Sequence, residues 1–227
     1  MTSPTRKLPE FALLLASLTF LILVYPLLRE FRFAFVFVDI FIALVLLSSI
    51  FALGRSRALM MIAIGMAAPL LILRWHSLWI GKEEALVVVF CLQAVFLVYV
   101  AVIILLRVLR TSHLTIDGTL GGICVYLLLG VLWASLYGLV DVLVPGAFHV
   151  TDPETFKVEA GGMVLGDFLY FSFVTLTTLG YGDVVPVAHS AKGLAMTEAV
   201  LGPIYLAVFV ARLLGLHISA RTGQLQS

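Results

Sequence analysis

The sequence Thr175-Leu-Thr-Thr-Leu-Gly-Tyr-Gly-Asp183 decides the fold. The rest of the chain is very apolar, and in this segment the backbone carbonyl groups can themselves act as ligands. Gly180 and Gly182 occupy alternate positions and can adopt positive φ at little steric cost. Successive carbonyl groups can then point in the same direction. If several copies meet around an axis, such a ladder, closed by the Thr178 hydroxyl, can replace the hydration shell of a monovalent cation.

This segment resembles the signature of the potassium-channel family, which most commonly reads Thr-x-x-Thr-Val-Gly-Tyr-Gly-Asp. Leu179 replaces the usual valine, and the departure bears on filter packing and inactivation because its side chain is expected to face away from the ions. The matched residues are Thr175, Thr178, Gly180, Tyr181, Gly182 and Asp183. An ordinary glycine loop is the alternative, but six matched positions between two apolar segments argue against it.

The resemblance implies a selectivity filter at residues 178–182, with K⁺ as the permeant ion and no resident cofactor. K⁺ would be bound at Thr178, Leu179, Gly180 and Tyr181, with Gly182 completing the filter. Thr175 and Asp183 would support it, and an aromatic cuff would be formed by Tyr170, Phe171 and Tyr181. Some family members place in the pore helix a carboxylate that pairs with the aspartate after the filter. Val174 stands at that position, so this contact to Asp183 is predicted to be missing.

Composition places the chain in a membrane. It has 227 residues, of which 62% are hydrophobic and 12% charged, and its mean hydropathy is +1.15. These values are typical of an integral membrane protein in a lipid bilayer. The net charge of +1 and the lack of a dense Lys/Arg block argue against a nucleic-acid partner. Cys91 and Cys124 lie in apolar runs and are interpreted as small core residues.

Residues 1–113 are predicted to form a four-helix membrane domain with the topology of a voltage sensor. The fourth apolar run lacks the arginine repeat that voltage sensing needs, because Arg107 and Arg110 lie beyond its end. A signal peptide is the alternative for the first run, but no small-x-small cleavage site follows it. Asp39 interrupts the second run and is predicted to pair with an arginine near the interface.

Residues 114–218 are predicted to form the pore domain. Its predicted parts are an outer helix at 118–140, a turret at 141–166, a pore helix at 167–178, the filter at 178–182 and an inner helix at 190–216, followed by a short cytoplasmic tail at 219–227. The pore helix is too short to cross a bilayer of about 30 Å and should be re-entrant. Asp167 is predicted to cap it. Carboxylates outnumber Lys157 around the turret, which predicts an acidic mouth; they are Asp141, Asp152, Glu154, Glu159, Asp167 and Asp183.

The inner helix carries two features that bear on support and gating. Glu198 is interpreted as a structural carboxylate bonded behind the filter rather than as an ion ligand. Gly202-Pro203 lies where the resemblance places a gating hinge, and a helix with a fixed bend is the alternative. A face at helical spacing is predicted to line the inner pathway; it comprises Tyr205, Val208, Phe209 and Arg212.

The predicted fold is an all-α membrane protein with six transmembrane helices, a re-entrant pore helix and a filter loop. Six spans with both ends inside place eight of the 14 Lys and Arg residues on the inner side, as expected for cytoplasmic loops. Because the chain holds a single filter segment, four copies are expected to form a homotetramer. The predicted function is passive K⁺-selective conduction without strong voltage gating, in a prokaryotic inner cell membrane.

Two other classes of function stay open. A non-conducting subunit that modulates another channel is one, and Leu179 and Val174 are the residues that hint at it. A membrane enzyme using Asp39, Glu198 and the five histidines is the other, although no nucleophile motif or metal-ligand spacing supports it. Only about 11 residues follow the last predicted helix, so gating is expected to come from the membrane helices, pH, lipid or a partner; a pore that simply leaks is the alternative.

Overall fold

The structure, a computed structural model, describes residues 9–28, 34–53, 56–80, 83–111, 115–151 and 165–225. It is mostly helical. The helices are α1 (Ala12–Leu28), α2 (Ala34–Ala52), α3 (Arg57–Ile80), α4 (Glu83–Arg110), α5 (Ile116–Leu143), α6 (Leu165–Leu176) and α7 (His189–Leu225). Two short strands complete the described elements, β1 (Phe148–Val150) and β2 (Val184–Pro186).

Four of the described helices, α3, α4, α5 and α7, are long and apolar enough to cross a membrane. Shorter apolar segments lie in α1, α2 and α6. Long runs of Leu, Val, Ile and Ala with few charges can satisfy their backbone polar groups only within the helix when lipid surrounds them. The chain is therefore an integral membrane protein built mainly of helices.

Helix α5 lies at the centre of the chain. It packs along α4 and also contacts α1, α6 and α7. The contact with α4 is made by side chains that recur at helical spacing, so each helix buries one apolar face. The fully buried apolar residues of the two helices include Phe96, Leu97, Val100 and Ile104 of α4 and Cys124, Leu128 and Val131 of α5.

Several predicted boundaries differ from the observed ones. The outer helix predicted at 118–140 extends over Ile116–Leu143, and its N-cap is Thr115, whose hydroxyl accepts from Gly118 N at 3.0 Å. The pore helix predicted to begin after Asp167 begins at Leu165. The capping role of Asp167 is therefore wrong, because its side chain lies within the first turn and is fully buried.

The end of α7 also differs from the prediction. The inner helix was predicted at 190–216 and the tail at 219–227, but α7 continues to Leu225. Residues 217–222 contain neither glycine nor proline, so nothing in this stretch interrupts the helical hydrogen bonds. The described part of the predicted tail is thus helical.

A two-stranded antiparallel sheet joins the start of the predicted turret to the segment after the filter. Phe148 pairs with Pro186, and Val150 pairs with Val184. Val187 N extends the pairing by donating to Ala147 O at 2.8 Å. The predicted turret thus begins with a strand, while its part from 152 to 164 lies outside the described residues.

Candidate functional site

The filter segment is anchored to the last turn of α6. The Val174 carbonyl accepts from Leu179 N at 2.9 Å and from Gly180 N at 3.2 Å. Carbonyl groups at a helix C-terminus lack partners within the helix, so these bonds satisfy one of them while they reverse the chain. The segment therefore starts from a fixed point at the end of the helix.

Positive φ values recur at every second residue of the filter segment. They are 60° at Thr178, 59° at Gly180 and 77° at Gly182. The two glycines behave as their lack of a Cβ predicts. Thr178 was not anticipated, because a β-branched residue rarely adopts this conformation and does so at a cost in strain. The alternation is the backbone pattern that a carbonyl ladder requires.

Asp183 fixes the far end of the filter segment. Its Oδ2 accepts from the Tyr170 hydroxyl at 2.5 Å and its Oδ1 accepts from Val184 N at 3.0 Å. The Asp183 carbonyl accepts from Thr151 N at 2.9 Å, beside the two-stranded sheet. Val174 is apolar and buried, so Tyr170, one helical turn earlier, provides a donor to Asp183. Sequence reasoning assigned Tyr170 to an aromatic cuff and missed this bond.

Phe171 lies in an aromatic cluster between α5, α6 and β1. Its ring centroid is 4.9 Å from that of Tyr137 and 5.5 Å from that of Phe148, both in edge-to-face geometry. Phe168 contacts Phe148 from the same side at 5.2 Å. Edge-to-face pairs of this kind stabilise a packed core. The cluster supports the pore helix from the side of its own chain, and its members Tyr137 and Phe148 were not predicted.

Glu198 is fully buried and joins three helices. Its Oε1 lies 2.6 Å from Ser172 Oγ of α6, and its Oε2 accepts from the Tyr137 hydroxyl of α5. Ser172 Oγ also lies 2.8 Å from the Gly130 carbonyl oxygen. The carboxyl group thus lies between the pore helix and α5, whereas the sequence interpretation placed it behind the filter. Nothing in the local sequence pattern indicated Tyr137 or Ser172 as its partners.

The predicted acidic mouth is not formed by the carboxylates that the structure describes. Asp167 is fully buried and Asp141 is 9% exposed, while Asp183 is bonded to Tyr170. The reason is that Asp141 and Asp167 lie on the inner faces of α5 and α6 rather than in the loop between them. Asp152, Glu154, Glu159 and Lys157 lie outside the described residues.

The face of α7 that was predicted to line the inner pathway instead packs on the same chain. The Tyr205 hydroxyl donates to the Gly122 carbonyl at 2.6 Å, and the Tyr205 ring stacks on Tyr126 and Phe209 at 5.9 Å. Arg212 donates to two carbonyls at the end of α4, those of Leu109 at 2.9 Å and Thr111 at 2.8 Å. The prediction is wrong for Tyr205, Phe209 and Arg212, because α4 and α5 offer them partners; Val208 is exposed.

Gly202 lies where α7 comes close to the pore helix. A Cβ at this position would collide with the carbonyl oxygen of Leu176, the last residue of α6. The Tyr126 hydroxyl donates to the same oxygen at 3.3 Å. A glycine is therefore required here for packing, independently of any hinge. Pro203 follows it inside a continuous helix.

A second buried polar chain connects the N-terminal helices to α5. Arg74 of α3 donates to Gln93 Oε1 at 2.7 Å, and Gln93 Nε2 donates to Ser135 Oγ at 2.9 Å. Arg74 is only 8% exposed within α3, so its guanidinium group is buried with these partners. The side chain of Asp39, predicted to pair with an arginine, lies outside the described residues.

Both cysteines are free thiols rather than a disulfide. Cys124 is buried, as predicted, whereas Cys91 is exposed on α4 and its assignment to the core is wrong. Among the described residues, His, Cys, Asp and Glu form no group of three that could hold a metal ion.

Comparison with known proteins places this geometry among ion channels. A family model described as "Ion channel" matches residues 123–216, which run from α5 through the filter to α7. Two rice (Oryza sativa subsp. japonica) proteins, "Two pore potassium channel a" and "Two pore potassium channel c", are 35% identical over 88 residues and 36% identical over 73 residues. These matches cover 39% and 32% of this chain but only 21% and 16% of the rice proteins.

A bacterial relative is matched over more of its length. "Protein LctB" of Bacillus caldotenax is 32% identical over 106 residues, which make up 47% of this chain and 77% of LctB. No solved structure gave a significant match. The region matched by the family model contains the filter segment and the helices that carry it. The family is one of channels rather than enzymes, and with the two rice relatives it shows that the chain belongs to the potassium-channel family.

Proposed function

We propose that the chain forms a homotetrameric, K⁺-selective pore that conducts K⁺ passively across the membrane. The observation that carries the proposal is the alternation of positive φ at Thr178, Gly180 and Gly182. With this backbone, carbonyl groups from four chains can surround a dehydrated cation and replace its hydration shell. The proposed K⁺ sites are formed by Thr178, Leu179, Gly180 and Tyr181, with Gly182 at the outer end.

The exposed surface around the filter supports assembly with further copies. Leu179 is 55% exposed and Tyr181 is 66% exposed in the single chain. An apolar groove runs between α1, α5, α6 and the filter; its lining includes Leu21, Tyr126, Phe173, Thr177 and Tyr181. Exposed apolar surface next to a proposed ion pathway is suited to cover by a neighbouring copy, and four-fold closure places four filter segments around one axis.

The proposed membrane topology has six spans and a re-entrant helix. Helices α1 and α2 are taken as the first two spans, α3, α4, α5 and α7 as the other four, and the 12-residue α6 as the re-entrant pore helix. Weak voltage dependence is proposed because the two arginines of α4, Arg107 and Arg110, lie in its last turn. The bacterial relative supports a prokaryotic cell membrane as the location.

K⁺ selectivity is supported by the names of the two rice relatives and by the six matched signature positions. Thr175, Tyr170, Phe171, Asp183 and Glu198 are proposed to support the filter, since they hold or flank the pore helix and the filter exit. Gly202 and Pro203 are proposed as the bend at which α7 opens the inner mouth, because Pro203 lacks the amide that would complete the helix there. K⁺ passes as the substrate, without a cofactor.

The test is K⁺ flux into liposomes that contain the purified protein, compared with Na⁺ flux, with Tyr181→Ala as the filter variant. We expect K⁺ flux that greatly exceeds Na⁺ flux and that the variant loses. Leu179→Val serves as the matched control, because it restores the common signature and should keep selectivity. Equal K⁺ and Na⁺ flux would refute the proposed selectivity. No flux from a folded tetramer would support a silent subunit instead.

A further inference from the structure

The cluster of Tyr137, Glu198 and Ser172 contains one more hydrogen bond than its hydroxyl groups can supply. Three oxygen–oxygen contacts run through it: Tyr137 to Glu198 Oε2, Glu198 Oε1 to Ser172 Oγ at 2.6 Å, and Ser172 Oγ to the Gly130 carbonyl at 2.8 Å. Each contact at such a distance needs a proton between its oxygens. Tyrosine and serine hydroxyls carry one proton each, and a carbonyl carries none.

The third proton must therefore come from the carboxyl group. We propose that Glu198 is a protonated acid that donates to Ser172 and so sets the position of the pore helix against the inner helix. In this assignment Tyr137 donates to Oε2, the acid proton on Oε1 goes to Ser172 Oγ, and Ser172 donates to Gly130. An ionised Glu198 would accept from Ser172 and leave the Ser172–Gly130 contact without a proton.

The surroundings of Glu198 agree with a neutral acid. The side chain is fully buried, and among the residues that the structure describes no Lys or Arg forms an ion pair with it. A buried carboxylate without a cation is costly, whereas a neutral acid whose oxygens are both bonded is not. Tyr137 and Ser172 are themselves fully buried, so water does not reach this part of the cluster to supply other partners.

The place of Glu198 on α7 explains how it positions the pore helix α6. On α7, Glu198 lies one turn before Gly202; on α6, Ser172 lies one turn before Leu176. Glu198 contacts Ser172, and Gly202 approaches the Leu176 carbonyl, so two matched contacts one turn apart fix the register of the two helices. The Val174 carbonyl, which anchors the filter, lies between Ser172 and Leu176 on α6. Glu198 is thus a positioning residue that acts on the filter through the pore helix.

The proton assignment is tested by infrared difference spectra of the protein in liposomes at neutral pH, wild type minus Glu198→Gln. We expect the wild type to show a carbonyl-stretch band of a protonated carboxylic acid that the variant loses, and we expect Ser172→Ala to shift this band. A difference confined to carboxylate bands would overturn the proposal. Failure of Glu198→Gln to fold would also overturn it, because glutamine reproduces the donor and acceptor of the neutral acid.

The positioning role rests on the proposed function and is tested separately by K⁺ flux. Glu198→Gln should keep flux because its amide can donate to Ser172 and accept from Tyr137, whereas Glu198→Ala should lose it. Equal loss in both variants would overturn the positioning role. If the wild type itself passes no K⁺, the proposed function fails, and the infrared bands still decide the state of the acid.

Discussion

Helices α5 and α7 flank the filter on either side along the chain, yet they are buried to very different extents. Both are long and apolar enough to cross a membrane, but in an 18-residue window of each helix 56% of the residues of α5 are buried against 6% of those of α7. Helix α5 contacts α1, α4, α6 and α7, so its own chain surrounds it. The difference indicates that α5 completes its packing within one chain and that α7 is suited to surfaces outside it.

The contacts of α7 include several specific ones. Among them are the Glu198 carboxyl group on Ser172, the close approach at Gly202, the Tyr205 hydroxyl on Gly122 and the Arg212 side chain at the end of α4. Helix α5, by contrast, relies on a broad apolar interface with α4, reinforced by the buried chain from Arg74 through Gln93 to Ser135. Substitutions in the two helices should therefore destabilise the protein through the loss of different kinds of contact.

The largest expected effect is at the attachment of α5. Gln93→Leu removes an acceptor of the buried Arg74 and the donor to Ser135. We expect the free energy of unfolding to fall by about 1.5–3 kcal/mol, since hydrogen bonds to charged groups are the strong ones. Unfolding in detergent micelles, followed by circular dichroism, measures this. Gln93→Glu is the control, because a carboxylate still accepts from Arg74 and only the donor to Ser135 is lost; the Ser135 hydroxyl already donates to the Val131 carbonyl at 2.8 Å. This variant should therefore lose less stability than Gln93→Leu. Equal stability of Gln93→Leu and the wild type would show that the apolar interface alone fixes α5.

The second largest effect on stability is expected where Gly202 of α7 approaches the Leu176 carbonyl. Gly202→Ala places a methyl group against the Leu176 carbonyl and should destabilise the protein by about 1–3 kcal/mol, because a backbone oxygen cannot rotate away. Gly193→Ala is the matched control on the same helix, since its Cβ would meet no atom within 4 Å. The control should gain about 0.5–1 kcal/mol from helix propensity. Effects of the same sign at both positions in thermal unfolding would contradict the packing account.

Features that depend on local sequence spacing could be predicted, whereas contacts between residues distant in the chain could not. Hydrophobic runs and the six signature positions predicted a mostly helical membrane protein, a short helix before the filter and positive φ at the two glycines. These features depend on local spacing. The Tyr170–Asp183 bond, the pairing of β1 with β2 and the partners of Glu198 depend on residues brought together by folding. The face of α7 was assigned wrongly for the same reason, because helical spacing identifies a face but not its partner.

The smallest expected effect concerns a single hydroxyl between the two helices. Tyr205→Phe removes the donor to the Gly122 carbonyl but keeps the ring that stacks on Tyr126 and Phe209. One hydrogen bond contributes about 0.5–1.5 kcal/mol, so we expect a loss of that size in unfolding and no change in circular dichroism. Tyr205→Ala should lose more, because the stacked ring is lost as well. If Tyr205→Phe is as stable as the wild type while Tyr205→Ala is less stable, ring packing on α5 rather than the hydroxyl holds this part of α7. Helix α7 would then differ from α5 in the extent of its apolar contacts but not in the kind of contact.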